Sequence, residues 1–159
     1  MAAGATGDHE APAASRAART TIMSTSLWVL TALVAWALAL LVLMEVLRAR
    51  LVVSGRVAAN AFTPDHVGLS PFMQRLARAH ANCIEGLPIF GGLLLVALVS
   101  DRAAITDPLA PWLLAARLVQ SSIHLASTSA AAVKMRFAAF VVQLGIAVWW
   151  SVALLTFTR

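Results

Sequence analysis

Polar side chains that could bind a charged ligand lie inside a segment that is otherwise apolar enough to cross a membrane. Arg78, Asn82 and Glu85 follow the i, i+4, i+7 spacing of one helix face, and Arg75 lies one turn earlier on that face. A charge near the bilayer centre costs at least ~2.5–3.5 kcal/mol, so such groups usually face a bundle interior and mark a site. We therefore expect this stripe to bind a polar ligand or to pair with charges on neighbouring helices.

Two later apolar segments carry similar stripes at helical spacing. Their members are Arg117, Gln120 and His124 in the earlier segment, and Arg136, Phe140 and Gln143 in the later one. Antiparallel packing would bring Arg117 to the depth of Glu85. Because a lone buried charge is far costlier than a paired one, we expect an ion pair between these two residues.

The composition of the whole chain is that of an integral membrane protein. Hydrophobic residues make up 60% and charged residues 12% of the sequence, against roughly 45–50% and 25% in soluble domains. The net charge is +5, but no basic run contains interleaved aromatic residues, so nucleic acid is not an expected partner. The single cysteine, Cys83, follows no metal-ligand spacing, and no metal site is predicted.

The helices that must position these stripes are expected to be four membrane spans in one all-α bundle. Residues 1–24, rich in Ala, Gly and Ser, are predicted to be a disordered tail, and residues 25–159 the membrane domain. The spans cover about 26–49, 72–99, 108–127 and 133–156, with Asp107 as N-cap and Pro108 at the first helical position of the third. A signal peptide is the alternative for the first apolar run, but residues 27–44 exceed the ~7–15 residues of its apolar core. The short later connections predict antiparallel neighbours.

The distribution of basic residues predicts the orientation in the membrane. Most lie in the first loop or before the last span: Arg48, Arg50, Arg56, Arg75, Arg78, Lys134 and Arg136. The positive-inside rule then places the long first loop in the cytoplasm and both termini on the opposite side. Tryptophans are expected to form an aromatic belt near that opposite interface: Trp28, Trp112, Trp149 and Trp150.

The head of the second span resembles the signature of the MAPEG family, the membrane-associated proteins in eicosanoid and glutathione metabolism. The pattern is Arg-Ala-His-x-Asn-x-x-Glu-x-x-Pro, carried by Arg78, His80, Asn82, Glu85 and Pro88. The resemblance extends over roughly residues 25–156.

This resemblance implies a homotrimer of four-helix bundles that holds glutathione, as co-substrate, between neighbouring subunits at the cytoplasmic side. It implies that Arg136, with Lys134 as the alternative, stabilises the glutathione thiolate, because a guanidinium is always charged and lowers the pKa of a nearby thiol. The other residues expected to bind glutathione are Arg78, Asn82 and Glu85 for the peptide, Arg48 or Arg50 for its carboxylates, and Arg117, Gln120 and His124 as a further wall.

Two functions are compatible with these residues. One is a glutathione transferase or peroxidase that acts on a hydrophobic small molecule dissolved in the bilayer. The other is a non-catalytic trimeric membrane protein, or a lipid-binding protein, whose polar stripes are structural. The chain contains no tyrosine, whereas well-known glutathione-dependent members place tyrosines around the ligand; here His124 and Phe140 stand near those places.

Overall fold

The computed structural model describes residues 24–62 and 69–156, and every regular element within those two ranges is a helix. The helices are α1 (Thr25–Val53), α2 (Pro71–Val99), α3 (Ala103–Thr106), α4 (Ala110–Ala126) and α5 (Ala130–Thr156). The predicted tail, apart from Ser24, and part of the first loop lie outside the described residues. The predicted all-α class is confirmed.

Three of these helices, α1, α2 and α5, are long and apolar enough to cross a membrane. They match the first, second and fourth predicted spans, each extended by a few residues. Helix α4 occupies the third predicted span but has only 17 residues, somewhat fewer than the ~20 that a crossing usually needs. These three helices fit a membrane protein, and a fourth crossing stays a prediction.

Helix α2 begins with a local cap and continues to Val99 without interruption by Pro88. The Ser70 hydroxyl accepts a hydrogen bond from the Met73 backbone N–H at 3.3 Å, and Pro71 occupies the first helical position. Both features suit a helix start, because the first backbone N–H groups have no partner within the helix. The Ser70 hydroxyl supplies one partner, and Pro71 has no N–H group that needs one.

The predicted role of Asp107 as N-cap of its own helix is wrong. Helix α4 starts at Ala110, after the short α3 and a turn. The Asp107 carboxylate instead accepts hydrogen bonds from the Ser24 hydroxyl at 2.8 Å, the Ser26 backbone N–H at 2.8 Å and the Ser26 hydroxyl at 2.6 Å. Because a negative charge is favoured at a helix N-terminus, Asp107 caps α1 from a distant part of the chain.

The bundle is held by two apolar clusters. Helix α1 packs chiefly on α2 and α4 chiefly on α5, while α2 and α4 join these pairs. One cluster, near the Asp107 end, includes Val29, Leu33, Phe90, Leu94, Leu113 and Trp150; the other includes Ala37, Leu40, Leu76, Ala79 and Cys83. Trp28, Trp112 and Trp149 are exposed, as belt residues would be, but Trp150 is fully buried and belongs to the core.

Asp107→Ala is expected to lower the free energy of unfolding by about 1–2 kcal/mol, the usual cost of losing a helix cap. The measurement is thermal unfolding in detergent at neutral pH. Asp101→Asn is the matched control: Asp101 is exposed, and its backbone has φ 56°, a conformation that Asn tolerates. Equal unfolding temperatures for wild type and Asp107→Ala would contradict the capping role.

The same contact predicts an acid dependence. Burial raises the pKa of Asp107, but the hydrogen bonds from the Ser26 hydroxyl, the Ser24 hydroxyl and the Ser26 N–H outweigh it, leaving the pKa below 3.8. A carboxylate with a lowered folded-state pKa stabilises the fold above its unfolded pKa, and this contribution is lost as the pH falls through the folded value. The difference between wild type and Asp107→Ala should therefore shrink below about pH 4.

Candidate functional site

A buried arginine stands at the centre of the polar residues that the sequence singled out. The Arg117 side chain on α4 is 3% exposed. Its Nη1 donates to Asn82 Oδ1 at 2.7 Å, to the Asn82 backbone carbonyl at 3.2 Å and to Gln120 Oε1 at 3.3 Å. A guanidinium keeps its charge in proteins, so its burial requires acceptors of this kind. Three predicted site residues thus lie together.

A fourth polar side chain extends this network to α5. Gln143 is 0% exposed, and its Nε2 donates to Gln120 Oε1 at 3.0 Å and to the Ala139 carbonyl at 2.9 Å. The Gln120 carbonyl therefore receives hydrogen bonds from helices α4 and α5 at once. Gln143 was not among the predicted site residues, although its place on the α5 stripe was the signal that could have included it. We call Asn82, Arg117, Gln120 and Gln143 the buried network.

Close approach of α2 to this guanidinium depends on Gly86. A Cβ atom there would clash with Nη2 of Arg117 and lie 2.9 Å from Cε2 of Phe90. The guanidinium carbon of Arg117 lies 5.1 Å from the centre of the Phe90 ring, within the range of a cation–π contact. Gly86 and Phe90 together form the surface of α2 that the Arg117 guanidinium contacts.

The predicted ion pair between Glu85 and Arg117 is wrong. In the ranges 24–62 and 69–156 a single ion pair is formed, between Arg48 and Glu45. Arg117 instead donates hydrogen bonds to the backbone and side-chain oxygens of Asn82, which is partly buried. Glu85 lies on the exposed edge of α2. Glu85 lines a cavity of about 210 Å³ there, with Asn82, Gly86, Ile89, Phe90, Arg117, Phe140 and Leu144.

A second group of predicted residues meets where α2 and α5 begin and α4 ends. Nη1 of Arg136 lies 2.9 Å from Nδ1 of His124. Since arginine can only donate, the His124 ring accepts at Nδ1, and it is neutral with its proton on Nε2. The head of α2 reaches the same place, where Arg75 Nε donates to the Leu125 carbonyl at 2.9 Å.

We call Arg75, Arg78, His124 and Arg136 the basic end. The predicted meeting of these three helix ends is confirmed by their contacts. The remaining predicted residues lie at the C-terminal end of α1: Arg48 donates to Glu45 Oε1 at 2.8 Å and stacks over Phe62 at 5.6 Å, and Arg50 is exposed. Lys134 is exposed on the first turns of α5.

Comparison with known proteins gives one match. The sequence model of the MAPEG family matches residues 13–156, nearly the whole chain. No curated protein and no solved structure matches the chain significantly. The matched range includes both the buried network and the basic end.

Gly86→Ala is expected to destabilise the fold by about 1–3 kcal/mol, because the added methyl group must displace the Arg117 guanidinium from a well-packed position. Gly92→Ala is the matched control on the same helix, since a Cβ at Gly92 meets nothing within 4 Å. Alanine favours helix by about 1 kcal/mol over glycine, so the control should be neutral or stabilising. The unfolding temperature should thus fall for Gly86→Ala and stay unchanged or rise for Gly92→Ala; equal shifts would contradict the close packing at Gly86.

Proposed function

Because the chain belongs to the MAPEG family, we propose that it is a membrane-bound glutathione transferase or peroxidase that acts on hydrophobic electrophiles. In this proposal four membrane crossings form each subunit, and three subunits form a homotrimer. The basic end and the long first loop face the cytoplasm, and both termini face the opposite side.

The observation that carries the proposal is the uncompensated positive charge of the basic end. Neither Arg78 nor Arg136 forms an ion pair with any residue in the described ranges, and the His124 ring that contacts Arg136 is neutral. Glutathione offers two carboxylates and an ionisable thiol, and guanidinium groups bind carboxylates by paired, charge-assisted hydrogen bonds. An anionic peptide is therefore a fitting occupant of this end.

The exposed polar edge of α2 supports the trimer. Glu85 is exposed in a single chain, on a helix apolar enough to cross a membrane. A charged side chain that faces lipid is costly, whereas a neighbouring subunit could cover it and supply a partner. A site shared between subunits would then combine the Glu85 edge and the basic end of one copy with residues of the next.

The chemistry assigned to Arg136 is stabilisation of a thiolate. The thiol of glutathione loses its proton to water, and the positive guanidinium lowers its pKa from about 8.5 towards neutrality. The sulfur lone pair then attacks the electrophilic carbon, a C–S bond forms, and the leaving group departs with its bonding electron pair. The hydrogen bond to neutral His124 fixes the orientation of the guanidinium.

The non-catalytic alternative is favoured by one observation. Arg117 makes its hydrogen bonds to Asn82 and Gln120 within one chain, and Gln143 completes the same network. Such polar contacts join membrane helices without any ligand. On this alternative the basic end binds lipid headgroups, and the protein has no thiol chemistry.

Arg136→Ala is expected to lower the rate of glutathione conjugation to chlorodinitrobenzene by roughly 100-fold, the usual cost of removing one group that stabilises the reacting charge. Purified protein is assayed at saturating glutathione, and ultraviolet absorbance reports the bound thiolate. Lys134→Ala, two residues away on the same helix, removes the same charge and should keep the rate if Arg136 is the thiolate partner.

Loss of activity in Lys134→Ala but not in Arg136→Ala would move the role to Lys134. Absence of conjugation, peroxide reduction and thiolate signal in the wild type, with its oligomeric state intact by size-exclusion chromatography, would favour the non-catalytic alternative.

A further inference from the structure

A separate polar pocket lies at the head of α2. It has a volume of about 210 Å³ and is lined by Pro71, Gln74, Arg75, Arg78 and Thr128. This is several times the ~30 Å³ that one water molecule occupies in the liquid. Neither His124 nor Arg136 lines it, so it is distinct from the place assigned above to the thiolate.

The polar groups of this pocket suit an anion. Arg75 uses Nε for the Leu125 carbonyl, and within the described ranges its two Nη nitrogens and the whole Arg78 guanidinium make no hydrogen bond. Thr128 adds an exposed hydroxyl, and no carboxylate is among the lining residues. The positive end of the α2 dipole lies beside them, which adds to the attraction for a negative group.

The length of α2 places this pocket at the level of the lipid headgroups. The helix has 29 residues, or ~43 Å at ~1.5 Å per residue, against ~30 Å for the hydrocarbon core and ~40–45 Å for the whole bilayer. Between Asn82 and Val99, Glu85 is the one charged residue and most of the others are apolar. The turns from Pro71 to Arg78 therefore extend beyond the hydrocarbon into the layer that contains phosphate groups.

We propose that this pocket binds the headgroup phosphate of an anionic phospholipid. Two guanidinium groups can grip phosphate oxygens by paired hydrogen bonds, as they do in other phosphate sites. The acyl chains then extend along the apolar part of α2 into the bilayer. This proposal does not depend on glutathione chemistry. Arg75 and Arg78 both belong to the basic end as well, so the phospholipid and glutathione are expected to compete for them.

The test measures lipid binding by the full-length protein in a neutral detergent, without glutathione or electrophile. The probes are short-chain phosphatidylglycerol, phosphatidylcholine with the same acyl chains, and inorganic phosphate, and binding is read by native mass spectrometry and by the shift in unfolding temperature. Phosphatidylglycerol should bind and stabilise the wild type, while the other two should bind at least ten times more weakly.

Arg78→Gln is the main variant, because Arg78 makes no hydrogen bond within the described ranges and the change should leave the fold intact. It is expected to weaken phosphatidylglycerol binding roughly five- to ten-fold, and the double change with Arg75→Gln should weaken it further. Arg56→Gln, which removes an exposed charge from the first loop, is the matched control and should bind as the wild type does.

Three results would each overturn the proposal. They are equal binding of phosphatidylcholine, which means contact with acyl chains only; equal binding of inorganic phosphate, which means a soluble anion site; and equal weakening by Arg56→Gln, which means general charge attraction. Absence of conjugation activity in the wild-type protein, with phosphatidylglycerol binding retained, contradicts only the proposed function.

Discussion

A permanently charged guanidinium buried between helices constrains most of what is distinctive in this bundle. Arg117 cannot be neutralised at ordinary pH, so the residues around it must supply acceptors and leave it space. Asn82 and Gln120 supply the acceptors, and Gly86 leaves the space. The hydrogen bonds of Arg117 connect α4 to α2, and the bond from Gln143 to Gln120 connects α4 to α5. The need to supply acceptors for one buried guanidinium therefore helps to fix the relative position of three helices.

The elements of the fold were largely predictable from the sequence, and the partners across helices were less so. Long apolar runs interrupted by Ser, Asp, Gly and Pro fix where helices begin and end within a few residues, because those signals are local. Helical spacing also grouped Arg117 with Gln120 correctly, and it predicted that the basic residues near helix ends would meet. The family was identifiable from one motif in α2, since its residues occur together within a short stretch.

Two predicted contacts failed because spacing along one helix does not determine its rotation against its neighbours. Asn82 and Glu85 lie one turn apart on nearly the same face, and a modest rotation decides which of them meets Arg117. The Glu85 carboxylate was expected to pair with Arg117 because their charges are opposite. Arg117 instead donates to the side-chain and backbone oxygens of Asn82. Asp107 was likewise assigned to the nearest helix start, whereas the helix that it caps begins far earlier in the chain.

That distant cap has a consequence for the order of assembly during synthesis. Asp107 follows Ser26 by 81 residues, so at typical elongation rates the ribosome adds it roughly 4 to 16 seconds later. Throughout this interval the first helix is in place while water at the membrane surface bonds the N–H groups that the carboxylate later takes over. The N-terminus of α1 is thus capped only after α2 has been made, so the helix that is synthesised first is completed by a residue that follows the second.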